Sequence, residues 1–172
     1  MRPSPPEPRL LPALPFRTRT VRFDELAEVL RLIRRAIDHG CRDHYDSFQR
    51  DAVYLSYAST LFGEALAPYE TIAVDGARGE IIAVAQLDPS ASRLRALFVD
   101  DDRQQRGLGS ALLADVEARA LTHGCISING AMSLNAVPFY ARAGFRPCAG
   151  PERLTTAGVH VPVVRMKKDL RR

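Results

Sequence analysis

The stretch QQRGLG, residues 104–109, constrains the fold more than any other because it joins two unlike segments. Before it, RLRALFV (93–99) sets Leu94, Ala96 and Phe98 against Arg93, Arg95, Leu97 and Val99, the two-residue alternation of a strand. After it, Leu108, Ala111, Leu112 and Val116 recur at three- and four-residue steps, predicting a helix from Gly107 that ends at Gly124. A strand, a glycine turn and a helix make an anion site: the first helical N–H groups lack internal partners, and the aligned peptide dipoles favour negative charge. Gly107 and Gly109 clear side chains from those donors, Gln104 and Gln105 add hydrogen bonds, and Arg106 adds charge. The chemistry implied is diphosphate binding. Leu112 stands where a dinucleotide fingerprint needs its third glycine, and no lysine precedes Lys167, so neither a Rossmann turn nor a P-loop fits. A bare G-x-G also begins ordinary helices, so its surroundings must decide.

Those surroundings describe one α/β domain on a mixed sheet. RTRTV (17–21) reads as a first strand, and Asp24 as the cap of a helix with Leu26, Val29, Leu30, Ile33, Ala36 and Ile37 on one face. Gly40 stops it, CRDHYD (41–46) is a polar loop, and Ser47 caps a second helix running to about Ser59. ETIAV (70–74) and EIIAVAQLD (80–88) form a hairpin around DGARG. Beyond the central helix come a strand, CISIN (125–129), a short helix within 135–144 with Pro138 near its start, and a last strand, VHVPVVRMK (159–167). Pro162 predicts an edge position for that strand. The element order is β-α-α-β-β-β-α-β-α-β.

A chain of 172 residues with 46% hydrophobic and 26% charged residues can bury one substantial core. Residues 1–16 hold six prolines and read as an extended tail, leaving 17–172 as the domain. The formal charge of +4 is carried by the ends: residues 1–22 and 165–172 each have five basic groups and one acid. The body between them has 14 basic and 18 acidic groups, unlike the concentrated basic face of a nucleic-acid binder. No apolar run reaches membrane-spanning length, so neither nucleic acid nor membrane is the expected partner. Cys41, Cys125 and Cys148 are widely spaced and odd in number, which fits buried thiols in a cytoplasmic protein rather than a disulfide framework or a metal site.

Two blocks then carry a resemblance. VDDDRQQRGLGSALL (99–113) resembles motif A of the GNAT N-acetyltransferase superfamily, with Gln104, Gly107 and Gly109 at the positions of its Q/R-x-x-G-x-G/A pattern. SLNAVPFYARAGF (133–145) is similar to that superfamily's second signature, an aromatic–tyrosine pair followed by x-x-x-G-F. The two are separated by a helix and a strand, as the resemblance requires. It implies acetyl-CoA as co-substrate, with the pyrophosphate on Gln104, Gln105, Arg106, Gly107, Leu108, Gly109 and Ser110. It also implies a splay beside Leu97, Phe98 and Val99 in which backbone groups pair with pantetheine, and a backbone N–H near Val99 that stabilises the oxyanion. Tyr140 maps to the general acid that protonates the departing thiolate.

The sequence departs from the pattern in places. Ser133 stands seven residues before the tyrosine, where an asparagine is frequent, and Asn135 follows nearby; either can meet the cofactor. Asp101 and Arg103 replace a frequent proline and tyrosine. The flanking strands 93–99 and 125–129 contain no carboxylate to deprotonate an amine, which leaves His44, Asp43, Glu64 and Asp88 as candidate bases. Among them His44 has the most suitable ordinary pKa. The function implied is direct acetyl transfer to a primary amine of a small molecule or a protein, without metal. A coenzyme-binding sensor that has lost catalysis is the alternative. The terminal strand offers a possible homodimer contact.

Overall fold

The computed structural model describes residues 16–63, 69–104, 107–150 and 152–170. Its elements are β1 (Thr18–Thr20), α1 (Leu26–Gly40), α2 (Ser47–Gly63), β2 (Glu70–Asp75), β3 (Ile81–Asp88), β4 (Arg93–Val99), α3 (Leu108–Thr122), β5 (Ser127–Ser133), α4 (Val137–Arg142), β6 (Arg146–Pro147), β7 (Glu152–Thr156) and β8 (Val159–Asp169). The sheet runs β1-β2-β3-β4-β5-β8-β6, with β7 also on β8. Every pairing is antiparallel except β4 with β5. The mixed α/β class expected from the sequence is therefore the one observed.

Helices cover both faces, and this explains β3. Its whole length is buried, as an apolar run sandwiched between layers must be. The apolar stripe of α1 packs on one face with Val84, Val161 and Val163. Leu112 and Val116 of α3, with Tyr140 and Phe145, pack on the other against Ile72, Leu87 and Ile128. Phe16, grouped with the tail by its sequence, is partly buried against this second cluster. Residues 1–15, the rest of that segment, lie outside the described residues.

Several local expectations need correction. Helix α2 is capped by Asp46 rather than Ser47: Asp46 Oδ1 accepts the Gln49 amide at 2.8 Å, while Gln49 Oε1 accepts the Asp46 amide at 3.2 Å. β5 begins at Ser127 and runs through Gly130 to Ser133, further than the apolar pattern indicated. β7 was hidden because its turn to β8 uses Ala157 and Gly158, both at positive φ (47° and 74°), without the usual Asn-Gly pair. That hairpin makes β8 an inner strand, paired with β5 over Val163–Asp169 on one edge and with β7 over Val159–Val163 and β6 at Met166–Lys167 on the other. Pro162 fits there because the β5 pairing stops at Val163; on that side Pro162 faces no strand, and its carbonyl accepts from the Tyr45 hydroxyl at 2.7 Å.

Candidate active site

The site is a gap in the sheet. Strands β4 and β5 share one rung, Arg93 opposite Asn129, where the Asn129 amide donates to the Ser92 carbonyl at 2.9 Å. The Asn129 side chain donates to the same carbonyl, also at 2.9 Å. Beyond the rung the strands part. Gly130 marks the place: a Cβ there would lie 2.8 Å from the Leu94 carbonyl oxygen, so only glycine allows the two backbones to approach before they diverge. On the other edge of β4, the Asp100 amide donates to Ile82. The alternation of an antiparallel ladder then turns the backbone groups of Leu97 and Val99 towards the gap.

β4 also carries a bulge. Gln86 pairs with Ala96 and Leu87 with Leu94, which leaves Arg95 as the extra residue. The simple alternation expected from the sequence fails at that point. Leu94 joins Leu97 and Val99 on the α3 face, whereas Phe98 packs on the α1 face.

One side of the gap opens into a cavity of about 450 Å³ bounded by the glycine turn and α4. Gly107 is the N-cap of α3 with φ 78°, a conformation that excludes most other residues. A Cβ at Gly109 would sit 3.5 Å from the Phe139 ring, an ordinary contact, so here glycine serves to keep the approach clear rather than to avoid a clash. Gln104, Ser110 and Asn135 line this cavity, together with Arg142, a rim cation that the sequence reading missed. Leu108 is buried in the core, so only its backbone can serve a ligand. Gln105 and Arg106 lie outside the described residues.

The other side opens into a cavity of about 300 Å³ between α2, β4, β5 and the β7–β8 hairpin. Ser133 and Phe98 line this one, and Asn135 the first, which separates two residues that the sequence could not distinguish. The cavities share Leu97, Ala136 and Tyr140. Tyr140 is buried, with its ring edge-on to Phe139 and Phe145 at 5.0 and 5.3 Å, and its hydroxyl makes no hydrogen bond among the described residues. Burial pushes its pKa well above the ordinary phenol value, so it stays protonated. Tyr57 donates to the bulge carbonyl of Arg95 at 3.2 Å, and burial pushes it up to about 12.

Tyr45 is a tie rather than a reactive group. Its buried hydroxyl donates to Pro162 and accepts the Leu134 amide at 2.9 Å, joining the first loop to β8 and to the start of the α4 segment. Tyr45→Phe leaves both partners unsatisfied, and denaturant unfolding should show a loss of about 1–3 kcal/mol.

The expected bases are not gathered at the cavity. His44 and Asp43 are exposed and line neither side of the gap. Asp88 is buried, but its Oδ1 accepts Ser90 Oγ at 2.6 Å and the Ala91 amide, closing the turn after β3. Glu64 lies outside the described residues. The lining of this second cavity contains no carboxylate or imidazole among the described residues. Replacing His44 with alanine should therefore leave the pH–rate profile between about pH 6 and 8 in place.

Cys41 faces the cavity, but burial raises its thiol to about 11, which removes it as a nucleophile. Cys41 and Cys125 are buried as expected, whereas Cys148 is exposed. His123, at the end of α3, pairs with Glu70. Among the described residues, no group of three or more His, Cys, Asp or Glu is placed to hold a metal, and no helix is long and apolar enough to cross a membrane.

Comparison with known proteins bears on this geometry. A crystal structure described as a GCN5-related N-acetyltransferase from Rhodopseudomonas palustris superposes with TM-score 0.79 at 20% identity, over 90% of this chain and 95% of that one. PaiA N-acetyltransferase from Thermoplasma acidophilum, solved with coenzyme A, gives 0.68 at 15% identity over 90% and 98%. YncA, a putative acetyltransferase from Salmonella typhimurium solved with acetyl-CoA, gives 0.58 at 17% identity over 91% and 95%. At these identities the likeness establishes the fold. No curated protein matches the sequence. The family model described as the acetyltransferase (GNAT) domain matches residues 44–170, from the loop after α1 to the end of β8. A match across that span, on a sheet that splays as those structures do, makes this chain an acyltransferase belonging to the GNAT acetyltransferase family.

Proposed function

We propose that the protein transfers an acetyl group from acetyl-CoA directly to a primary amine. The observation that carries this reading is the meeting of two cavities at Tyr140 across the β4–β5 gap. The residues fit the coenzyme: a turn with glycine at 107 and 109 at a helix N-terminus suits a diphosphate, the Arg142 rim adds charge, and an unpaired strand edge suits an amide-bearing arm. Acetyl-CoA supplies an activated thioester. Gln104, Gly107, Gly109 and Ser110 would hold its pyrophosphate, Leu97 and Val99 would pair with its pantetheine, and Asn135 faces the same cavity. Gln105 and Arg106 complete that loop in the proposal. The 17–172 segment works as one domain, in a compartment that keeps the three cysteines free.

The backbone N–H groups along the open edge of β4, Val99 among them, would stabilise charge on the carbonyl oxygen as the amine adds. Tyr140 would donate to the sulfur. Because burial makes a phenolate costly, the phenol gives up its proton only as it regains one, and the amine is the group with a proton to lose. Tyr140 thus serves as a relay, which reduces the demand for a separate carboxylate base. The test is coenzyme binding by calorimetry followed by thiol release with a panel of primary amines. Binding with release is expected; binding without release to any amine would overturn acetyl transfer in favour of a sensing role.

A further inference from the structure

We infer that the acceptor amine also carries a carboxylate, with an apolar amino acid as its chemical class, and that Arg95 binds that carboxylate. This rests on the acetyl-transfer reading and names the acceptor for it. The bulge in β4 sets Arg95 into the lining of the acceptor-side cavity. Among the described lining residues it is the one charged side chain; the rest are apolar or bear only hydroxyl or thiol groups.

Arg19, Arg34, Arg35, Arg119 and Arg165 each face carboxylates at salt-bridge distance. Arg95 has no such partner among the described residues, and its Nε, like those of Arg50 and Arg93, is buried without a hydrogen bond. Its guanidinium lies over the Tyr69 ring, 4.4 Å from the centroid. That contact orients the guanidinium, whose N–H groups make no hydrogen bond among the described residues, and arginine takes a carboxylate through two parallel bonds. A half-buried cation without an anion carries a desolvation cost, and a ligand carboxylate offsets it.

The rest of the cavity sets the other half of the specificity. Val53, Phe98, Val161 and Val163 offer an apolar wall, and about 300 Å³ is space for one small molecule. A polyamine finds no carboxylate among the described lining residues and meets a like charge. The same cation disfavours the ammonium form of the acceptor, so the amine reaches the gap in its nucleophilic state.

The experiment uses the full chain. Coenzyme affinity is measured first; failure there would sink the acetyl-transfer reading itself, not the acceptor assignment. Thiol release is then measured with L-leucine, L-phenylalanine, their amides, a tripeptide beginning with leucine, and spermidine. At least one of the two amino acids should exceed its own amide, the tripeptide and spermidine by about tenfold or more in kcat/KM. Arg95→Gln should lower that amino acid's kcat/KM by about 10- to 100-fold while barely moving its amide, and coenzyme affinity should not change. Arg95→Lys keeps the charge without the fork and should retain part of the preference. The assignment is overturned if the amide, the tripeptide or spermidine is preferred. It is equally overturned if Arg95→Gln slows acid and amide alike, or if neither amino acid binds or reacts with the coenzyme-loaded protein.

Discussion

Tyr140→Phe is expected to lower kcat by about 10²–10³-fold while coenzyme affinity and thermal stability hold. The separation of readouts follows from the surroundings of the hydroxyl. It makes no hydrogen bond among the described residues, so its removal orphans no buried partner, and the ring keeps its edge contacts with Phe139 and Phe145. What disappears is the proposed proton donor at the junction of the two cavities. Stopped assays for kcat, calorimetry for coenzyme and a thermal melt decide the matter together. Wild-type turnover in the variant would remove Tyr140 from the chemistry.

Gly109→Asp should weaken coenzyme binding by about 100-fold or more and leave the fold standing. A Cβ at that position meets only ordinary contacts, the nearest 3.5 Å away on the Phe139 ring. A carboxylate in the first turn of α3 is also favourable to the helix dipole, so melting should not drop. Against a diphosphate the same charge is repelled; about 3 kcal/mol, a modest value for like charges near a protein surface, corresponds to that loss. Unchanged affinity would show that the anion does not sit on this turn.

Much of this site was legible because its signals are local. A glycine that must adopt φ 78° at the start of α3 announces itself in the sequence, and so does a tyrosine four residues before the Gly144-Phe145 corner. The stripe on α1 was equally clear, since a single face repeats over four turns. The Arg95 bulge was not, because inserting one residue into a strand leaves no mark on a pattern read two residues at a time. Nor could the sequence show that Tyr45 bonds a carbonyl 117 positions away, or that Asp88 is spent on its own turn. His44 illustrates the limit most plainly: an imidazole is a residue type that can act as a base, but its exposure is set by the packing of Cys41 and Tyr45 on either side.

The single rung between β4 and β5 has a consequence for how such a sequence can drift. An open row of peptide groups asks for strand geometry and is indifferent to which β-forming side chains supply it, so Leu97 and Val99 tolerate replacement by other residues that hold an extended chain. Gly130 and the bulge, which set where the strands separate and which way Arg95 faces, have no such latitude. Variation in this chain should therefore accumulate along the walls of the gap and spare its two pivots, which under the proposed reading lets selectivity for the amine change while the grip on the coenzyme is inherited intact.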